Sequence, residues 1–272
     1  MSEIPGTVLD HLGRRVELAR PPRRIVSLVP SITETIVSSG ESARLVGRTR
    51  FCVHPESVVA SVPTVGGTKN PDLEAILALA PDLVLANQEE NRESDVLALA
   101  RSLPVFVTDV RTVEQALAWT DELRSLLAGE APDRVARENA RPSARRNGPR
   151  TATLVWRKPL VAVGEDTYAA DVLAHAGLAN VFSEPSGRYP GTSVDDLAAR
   201  RPELLLLPSE PHPWTPDEGA QLASELASRG VVATPVLVPG EALTWWGSRT
   251  KNAASEIQAT VSRASAGRKA AS

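Results

Sequence analysis

Leu73-Glu-Ala-Ile-Leu-Ala-Leu-Ala-Pro-Asp-Leu-Val-Leu-Ala86 and Val194-Asp-Asp-Leu-Ala-Ala-Arg-Arg-Pro-Glu-Leu-Leu-Leu-Leu207 follow one pattern at a constant offset of 121 residues. An acid near the start (Glu74, Asp195) precedes a helical stretch. A proline (Pro81, Pro202) then ends it, because the residue before proline is pushed out of the helical region and proline donates no N–H. A second acid (Asp82, Glu203) introduces a short apolar run of the kind that forms a buried strand. Any single helix–strand unit can read this way, but two copies at a fixed offset point to two related lobes.

The remaining signals fall into place around these two stretches. Arg24–Val29 reads as a buried strand, and Ser31-Ile-Thr-Glu34 as a capping box opening a helix. Further strands are expected at 45–47, 82–86 and 105–108, with helices at 72–80 and 91–102. Strands alternating with helices predict a mainly parallel sheet. Thr112-Val-Glu-Gln115 is a second capping box, opening a helix with one apolar face through Leu127. Gly129 suits its end, Pro132 the first turn of a following helix, and Pro142 the stop of that helix. The basic stretch 141–150 reads as an exposed connector. Beyond it, strands are expected at 151–156, 203–207 and 231–238, with helices at 167–176, 193–200, 216–228 and from about 250, fraying past Ala264. The division is a lobe over 1–110, a linker helix region over 111–149 and a lobe over 150–272.

The 272 residues are 42% hydrophobic, enough for a substantial core. A net charge of −3 argues against nucleic acid as a partner. Cys52 is the one cysteine, which excludes an internal disulfide and thiolate-rich zinc sites. The N-terminus shows no basic and apolar leader, and no run approaches the roughly 20 apolar residues of a membrane span. With Met1 as the native start, a cytoplasmic protein is expected; with a leader removed, an exported one. A monomer is expected.

Arg24-Ile-Val-Ser-Leu-Val-Pro-Ser-Ile-Thr-Glu34, Val65-Gly-Gly-Thr-Lys-Asn-Pro-Asp-Leu-Glu74 and Ala80-Pro-Asp-Leu-Val-Leu-Ala86 resemble the helical-backbone substrate-binding proteins of ABC importers for cobalamin, haem and siderophores. The likeness spans about residues 7–262. It implies an α/β fold of two Rossmann-like lobes with mainly parallel sheets, joined by a long helix, with the ligand in the cleft between them. It also implies an ABC permease as partner, docked by one acid on each lobe; the matching positions are Glu74 and Asp195. An acid in a helix's first turn also stabilises the helix dipole by roughly 0.3–1 kcal/mol, whatever else it does. Gly47-Arg-Thr-Arg-Phe-Cys-Val-His54, Ala86-Asn-Gln-Glu-Glu-Asn-Arg92, Arg188-Tyr-Pro190, Ser209-Glu-Pro211 and Gly240–Arg249 resemble a cobalamin-binding-like branch that lacks an export signal.

Each of these segments is read as following a strand, where ligands bind in open parallel sheets. The expected ligand contacts are Pro30, Arg48, Phe51, Cys52, His54, Lys69, Asn70, Glu90 and Arg92 in the first half. In the second they are Trp156, Arg188, Tyr189, Glu210, Glu241, Trp245 and Arg249. Aromatic walls with a few convergent polar groups suit a flat, partly polar ligand such as a corrinoid or haem. No intrinsic cofactor and no resident metal site is expected. Trp245 and Trp246, read as a strand, cannot share a face, so at least one of them is expected in the core. Two functions stay open. One is a non-enzymatic binder of a metal chelate. The other is an enzyme reusing the same cleft, with Cys52, His54 and carboxylates as its chemical groups.

Overall fold

The computed structural model describes residues 6–128, 130, 137, 139–143, 147–183 and 187–271, with side chains through Ala266. Gly129 and Pro132, expected to interrupt the linker, lie outside the described residues, as do residues 144–146 of the basic connector. The chain forms two compact units. One comprises Met1–Val110 with Leu117–Asn139, the other Arg111–Ala116 with Ala140–Ser272.

The first unit opens with an antiparallel hairpin of β1 (Thr7–Leu9) and β2 (Arg15–Glu17), which the sequence reading missed. Its signal is Asp10-His-Leu-Gly13. The buried Asp10 carboxylate accepts the N–H groups of Leu12 and Arg14, while Gly13 supplies the positive φ of +77°. Asp10 also accepts from the Arg14 guanidinium at 2.7 Å and, at 3.3 Å, from the Val107 N–H, which fastens the hairpin to the sheet. His11 and Glu122 form a buried pair at 2.7 Å beside Trp119 and Phe106.

The sheet of this unit is wholly parallel, ordered β4 (Leu45–Arg48), β3 (Ile25–Ser27), β5 (Leu83–Asn87), β6 (Val105–Thr108). Helices α1 (Pro30–Ser38), α2 (Glu56–Val59), α3 (Leu73–Ala78) and α4 (Glu93–Leu99) connect the strands. Val26, Leu28, Ile76, Val84, Leu99 and Val107 form its core. The capping box expected at Ser31 is not formed. Helix α1 begins two residues earlier, with its N-cap position at Val29 rather than Ser31 and Pro30 in its first turn, where the missing N–H costs nothing, and Val29 makes no side-chain cap. The chain passes from the second unit back to the first within α5 (Val113–Ala128). Thr112 caps this helix through the Gln115 N–H at 3.0 Å, and the Gln115 side chain answers on Arg111 rather than on Thr112.

The second unit has a mixed six-stranded sheet. Strands β9 (Ala179–Asn180), β7 (Arg150–Trp156), β11 (Leu204–Pro208) and β12 (Thr234–Val238) run parallel, and β8 (Leu160–Ala162) and β10 (Gly191–Thr192) form an antiparallel flank. Its helices are α6 (Tyr168–His175), α7 (Val194–Arg200), α8 (Pro216–Ala227), α9 (Gly240–Thr244) and α10 (Thr250–Ala271). Leu154, Phe182, Leu205, Leu207 and Leu222 lead its core. Helix α10 continues through Ala271, past the expected fraying point. Ala and Arg are strong helix formers, which suits this small-residue tail to the helix. Pro142 lies in non-helical chain.

The repeat is carried into three dimensions. Helix α3 leads to β5 and α7 to β11, and the residue before each proline, Ala80 and Arg201, takes the left-handed conformation at φ +44° and +47°. No helix among the described residues is long and apolar enough to cross a membrane.

Candidate functional site

In the first unit, the loops after β3, β4 and β5 are tied together at their carboxyl ends by two asparagines that the sequence reading passed over. Asn91 is buried. Its amide NH2 donates to the carbonyl oxygens of Thr68 at 2.9 Å and Leu28 at 3.4 Å, and its Oδ1 accepts the Asn87 N–H at 2.9 Å. Asn87 closes β5. Its Oδ1 accepts the N–H groups of Glu89 and Glu90, and its NH2 donates to Thr108. The available signal was an Asx residue at the end of an apolar run, where its side chain can bond its own backbone two residues on.

These ties position the expected contacts unequally. Phe51 is 48% exposed, with the Arg50 guanidinium 4.9 Å from its ring centroid. Gly67 lies so close that a Cβ would stand 3.3 Å from the Phe51 ring and 2.6 Å from Asn70 Oδ1. Lys69 donates to the Glu89 carbonyl, bridging two loops. Pro30 starts α1, His54 is half-buried, and Glu90 and Arg92 sit just before α4. Arg48 turns onto the backbone of the segment that follows it, donating to the carbonyl oxygens of Val59 at 2.7 Å and Thr49 at 3.2 Å. Cys52 is fully buried, 3.2 Å from the Thr49 hydroxyl, and burial pushes its thiol upward. A thiol held protonated in this way is a poor nucleophile.

In the second unit, Trp156 ends β7 with 42% of its surface exposed and its indole N–H bound to the Lys158 carbonyl. Its ring packs edge-on to His212 at 5.9 Å, and His212 to the buried Trp214 at 5.0 Å. Glu218 receives the His212 Nε2 at 3.2 Å. Glu218 is held below the usual carboxylate range, first by the Thr215 N–H and then by His212. Glu210, in the loop after β11, is pushed upward by burial and by neighbouring Glu241, against the Thr244 hydroxyl that it accepts at 2.8 Å. Gly240 permits this approach, since a Cβ there would fall 2.3 Å from Glu210 Cγ and 2.7 Å from its backbone nitrogen. The Arg249 guanidinium lies 5.1 Å from the Trp245 ring centroid.

Two expectations are corrected here. Trp245 and Trp246 follow α9 rather than forming a strand, and both are buried, at 7% and 5% exposure. Arg188 and Tyr189 do not follow a strand either; they lead into β10. The Arg188 carbonyl accepts the Gly164 N–H and its guanidinium donates to Asp166. Tyr189 is 41% exposed.

Glu74 and Asp195 occupy the first turns of α3 and α7, both exposed. Neither caps its helix. Asp72 accepts the Ala75 N–H at one, and Ser193 forms a capping box with Asp196 at the other. Asp195 pairs with Arg229 at 2.5 Å.

Residues 25–129 match the family model described as periplasmic binding protein. The vitamin B12-binding protein of Yersinia pestis (strain Pestoides F) is 28% identical over 199 residues, covering 70% of each chain. The periplasmic vitamin B12-binding protein of Vibrio cholerae superposes with a TM-score of 0.67 at 18% identity, covering 90% of this chain and 98% of its own. A periplasmic haem-binding protein from Pseudomonas aeruginosa gives 0.67 at 20% identity, with 88% and 92% covered. Over residues 25–129 the chain is thus similar in sequence to the periplasmic-binding-protein family, and its fold is similar to that of these two solved binding proteins.

Proposed function

We propose that this protein binds a small metal chelate, a corrinoid or a haem- or siderophore-type molecule, and hands it to an ABC permease. The observation that carries this reading is the choice of exposed aromatics. Seven of the ten aromatic residues are buried, and the three left open are Phe51, Trp156 and Tyr189. Phe51 and Trp156 stand at the carboxyl ends of parallel strands, where α/β sheets bind ligands. Large apolar faces left in water mark a surface that something else covers. Lys69, Asn70, Glu90, Glu210 and Glu241, in the segments that follow β4, β5, β11 and β12, together with Arg249 supply polar groups for amide or carboxylate substituents.

Relatives named for vitamin B12 and haem support the same ligand class. Glu74 and Asp195 are exposed and not needed as caps, which suits them to docking arginines of a permease; Asp195 would first exchange its Arg229 partner. Delivery to a permease goes with an exported protein, as the periplasmic naming of the relatives supports. Titration with cyanocobalamin and with haemin, followed by absorbance, tests the proposal. Saturation by one of them at one equivalent is expected. Absence of saturation with both, and with a ferric hydroxamate siderophore titrated in the same way, would refute it.

A further inference from the structure

We propose a cation site of late first-row type, formed by Glu114, Asp171 and His175 within the second unit. One donor atom from each lies within 4.8 Å of the other two. Asp171 and His175 are four residues apart on α6 and so share a face of that helix. Glu114 comes from the first turn of α5.

The hydrogen bonds around the imidazole place one of its ring hydrogens. His175 Nδ1 is 2.9 Å from the Asp171 carbonyl oxygen. A carbonyl only accepts, so Nδ1 carries a hydrogen, and in its neutral form the ring presents its lone pair on Nε2. That Nε2 faces Glu114 Oε1 at 3.7 Å. The Ser143 hydroxyl lies 3.0 Å from Nδ1 and 3.4 Å from Nε2. Lone pairs of an imidazole and a carboxylate directed at each other repel unless a cation or a proton lies between them.

Asp171 is the rigid member. It is 4% exposed, and its two oxygens accept the N–H groups of Val113 at 2.8 Å and Ser143 at 2.6 Å. Each oxygen keeps a lone pair, and the carboxylate cannot turn away. An imidazole whose second nitrogen bonds a carbonyl, beside an oriented carboxylate, is the arrangement metal sites use to hold their ligands in place. Zinc bonds of about 2.0–2.2 Å put ligand atoms roughly 3.3–3.6 Å apart. The 3.7 Å separation above therefore needs little closure, and the exposed Glu114 side chain can supply it. A cavity of about 520 Å³ opens beside Asp171, rimmed by Arg111, Ser143, Asp166 and Asn180; Glu114 and His175 do not line it.

Glu114 lies on 111–116, and Ser143, whose N–H the Asp171 carboxylate accepts, lies on 140–143, the two stretches where the chain passes between its units. A cation bound here would pin both stretches to α6.

Zinc chloride titrated into tag-free, chelator-stripped protein, by calorimetry and by thermal melting, tests the site. One equivalent bound, with a dissociation constant on the order of micromolar and a raised Tm, is the expected result. His175→Gln should weaken binding roughly tenfold or more, Glu114→Gln by somewhat less, and His212→Gln not at all. Because Glu114 is exposed, its variant carries the test if the His175 variant melts early without metal. Magnesium should produce no shift, since imidazole favours the later metals. The proposal is overturned by no saturable uptake below about 1 mM zinc, by equal uptake in both variants, or by an equal response to magnesium.

Discussion

Arg24 reaches back across 56 residues to Ala80, donating through Nε to its carbonyl oxygen at 3.2 Å and through Nη2 to the Leu79 carbonyl at 2.6 Å. The second unit repeats the contact, with Arg150 donating to the carbonyl oxygens of Arg201 and Arg200. Arg24 leads into β3 and Arg150 begins β7, each the neighbour of the strand that its partner helix feeds. The acid after each proline completes the clasp, as Asp82 accepts from the Arg23 and Arg24 N–H groups and Glu203 from the Arg150 N–H. Helix ends leave carbonyls without partners, and a guanidinium fork satisfies two at once.

Replacing Arg24 or Arg150 by Ala should therefore destabilise its own unit by about 1–2 kcal/mol. The two sites share no partner, so the double variant should lose the sum of the two. Urea unfolding of the single and double variants checks this; a double variant no weaker than either single would contradict it.

Asn91→Ala removes one side chain that serves three backbone partners. It should lower Tm by several degrees and weaken ligand binding at least severalfold, because the loops carrying Phe51 and Lys69 lose their common tie. Asn91→Asp keeps the acceptor and loses the two donations, so it should fall between wild type and Ala in Tm.

Gly240→Ala forces a methyl group against Glu210, and overpacking of this kind costs about 1–3 kcal/mol. The expected signature is reduced stability together with reduced affinity. A variant that melts and binds like wild type would show that the loop after β12 moves freely.

Glu210 gives a pH test. Its carboxyl is raised by burial, so the folded state holds the proton to higher pH than the unfolded chain does. Its contribution to stability is therefore fully present below the ordinary glutamate pKa and is lost as pH rises through the folded value. Glu210→Gln should melt higher than wild type at pH 8, with the difference shrinking towards zero near pH 4. A difference independent of pH would remove the carboxyl from the explanation.

Phe51→Ala and Tyr189→Ala remove exposed rings. Each should weaken binding of the corrinoid or haem about tenfold or more while shifting Tm by less than about 2 °C. Equal loss of Tm and affinity would show that the rings support the fold instead.

Although the short strands Leu160–Ala162, Ala179–Asn180 and Gly191–Thr192 were not legible in the sequence, the parallel strands Ile25–Ser27, Leu45–Arg48, Leu83–Asn87, Val105–Thr108, Arg150–Trp156, Leu204–Pro208 and Thr234–Val238, the helix–proline–strand repeat and the turn at each proline were. They follow from apolar periodicity and from the backbone chemistry of proline, which act within a few residues. The N-terminal hairpin was not legible, because its strands have three residues each and are held by Asp10 and His11 reaching residues nearly 100 positions away. The same reason governs the site. Aromatic and charged residues near strand ends could be named from the chain alone, but burial was decided by packing between distant segments. Packing hid Cys52, Trp245 and Trp246, turned Arg48 onto the Val59 carbonyl, and left Phe51, Trp156 and Tyr189 in water. Local sequence determines which element a residue joins; which neighbour covers it depends on chain brought back from far away, and only the folded structure contains that information.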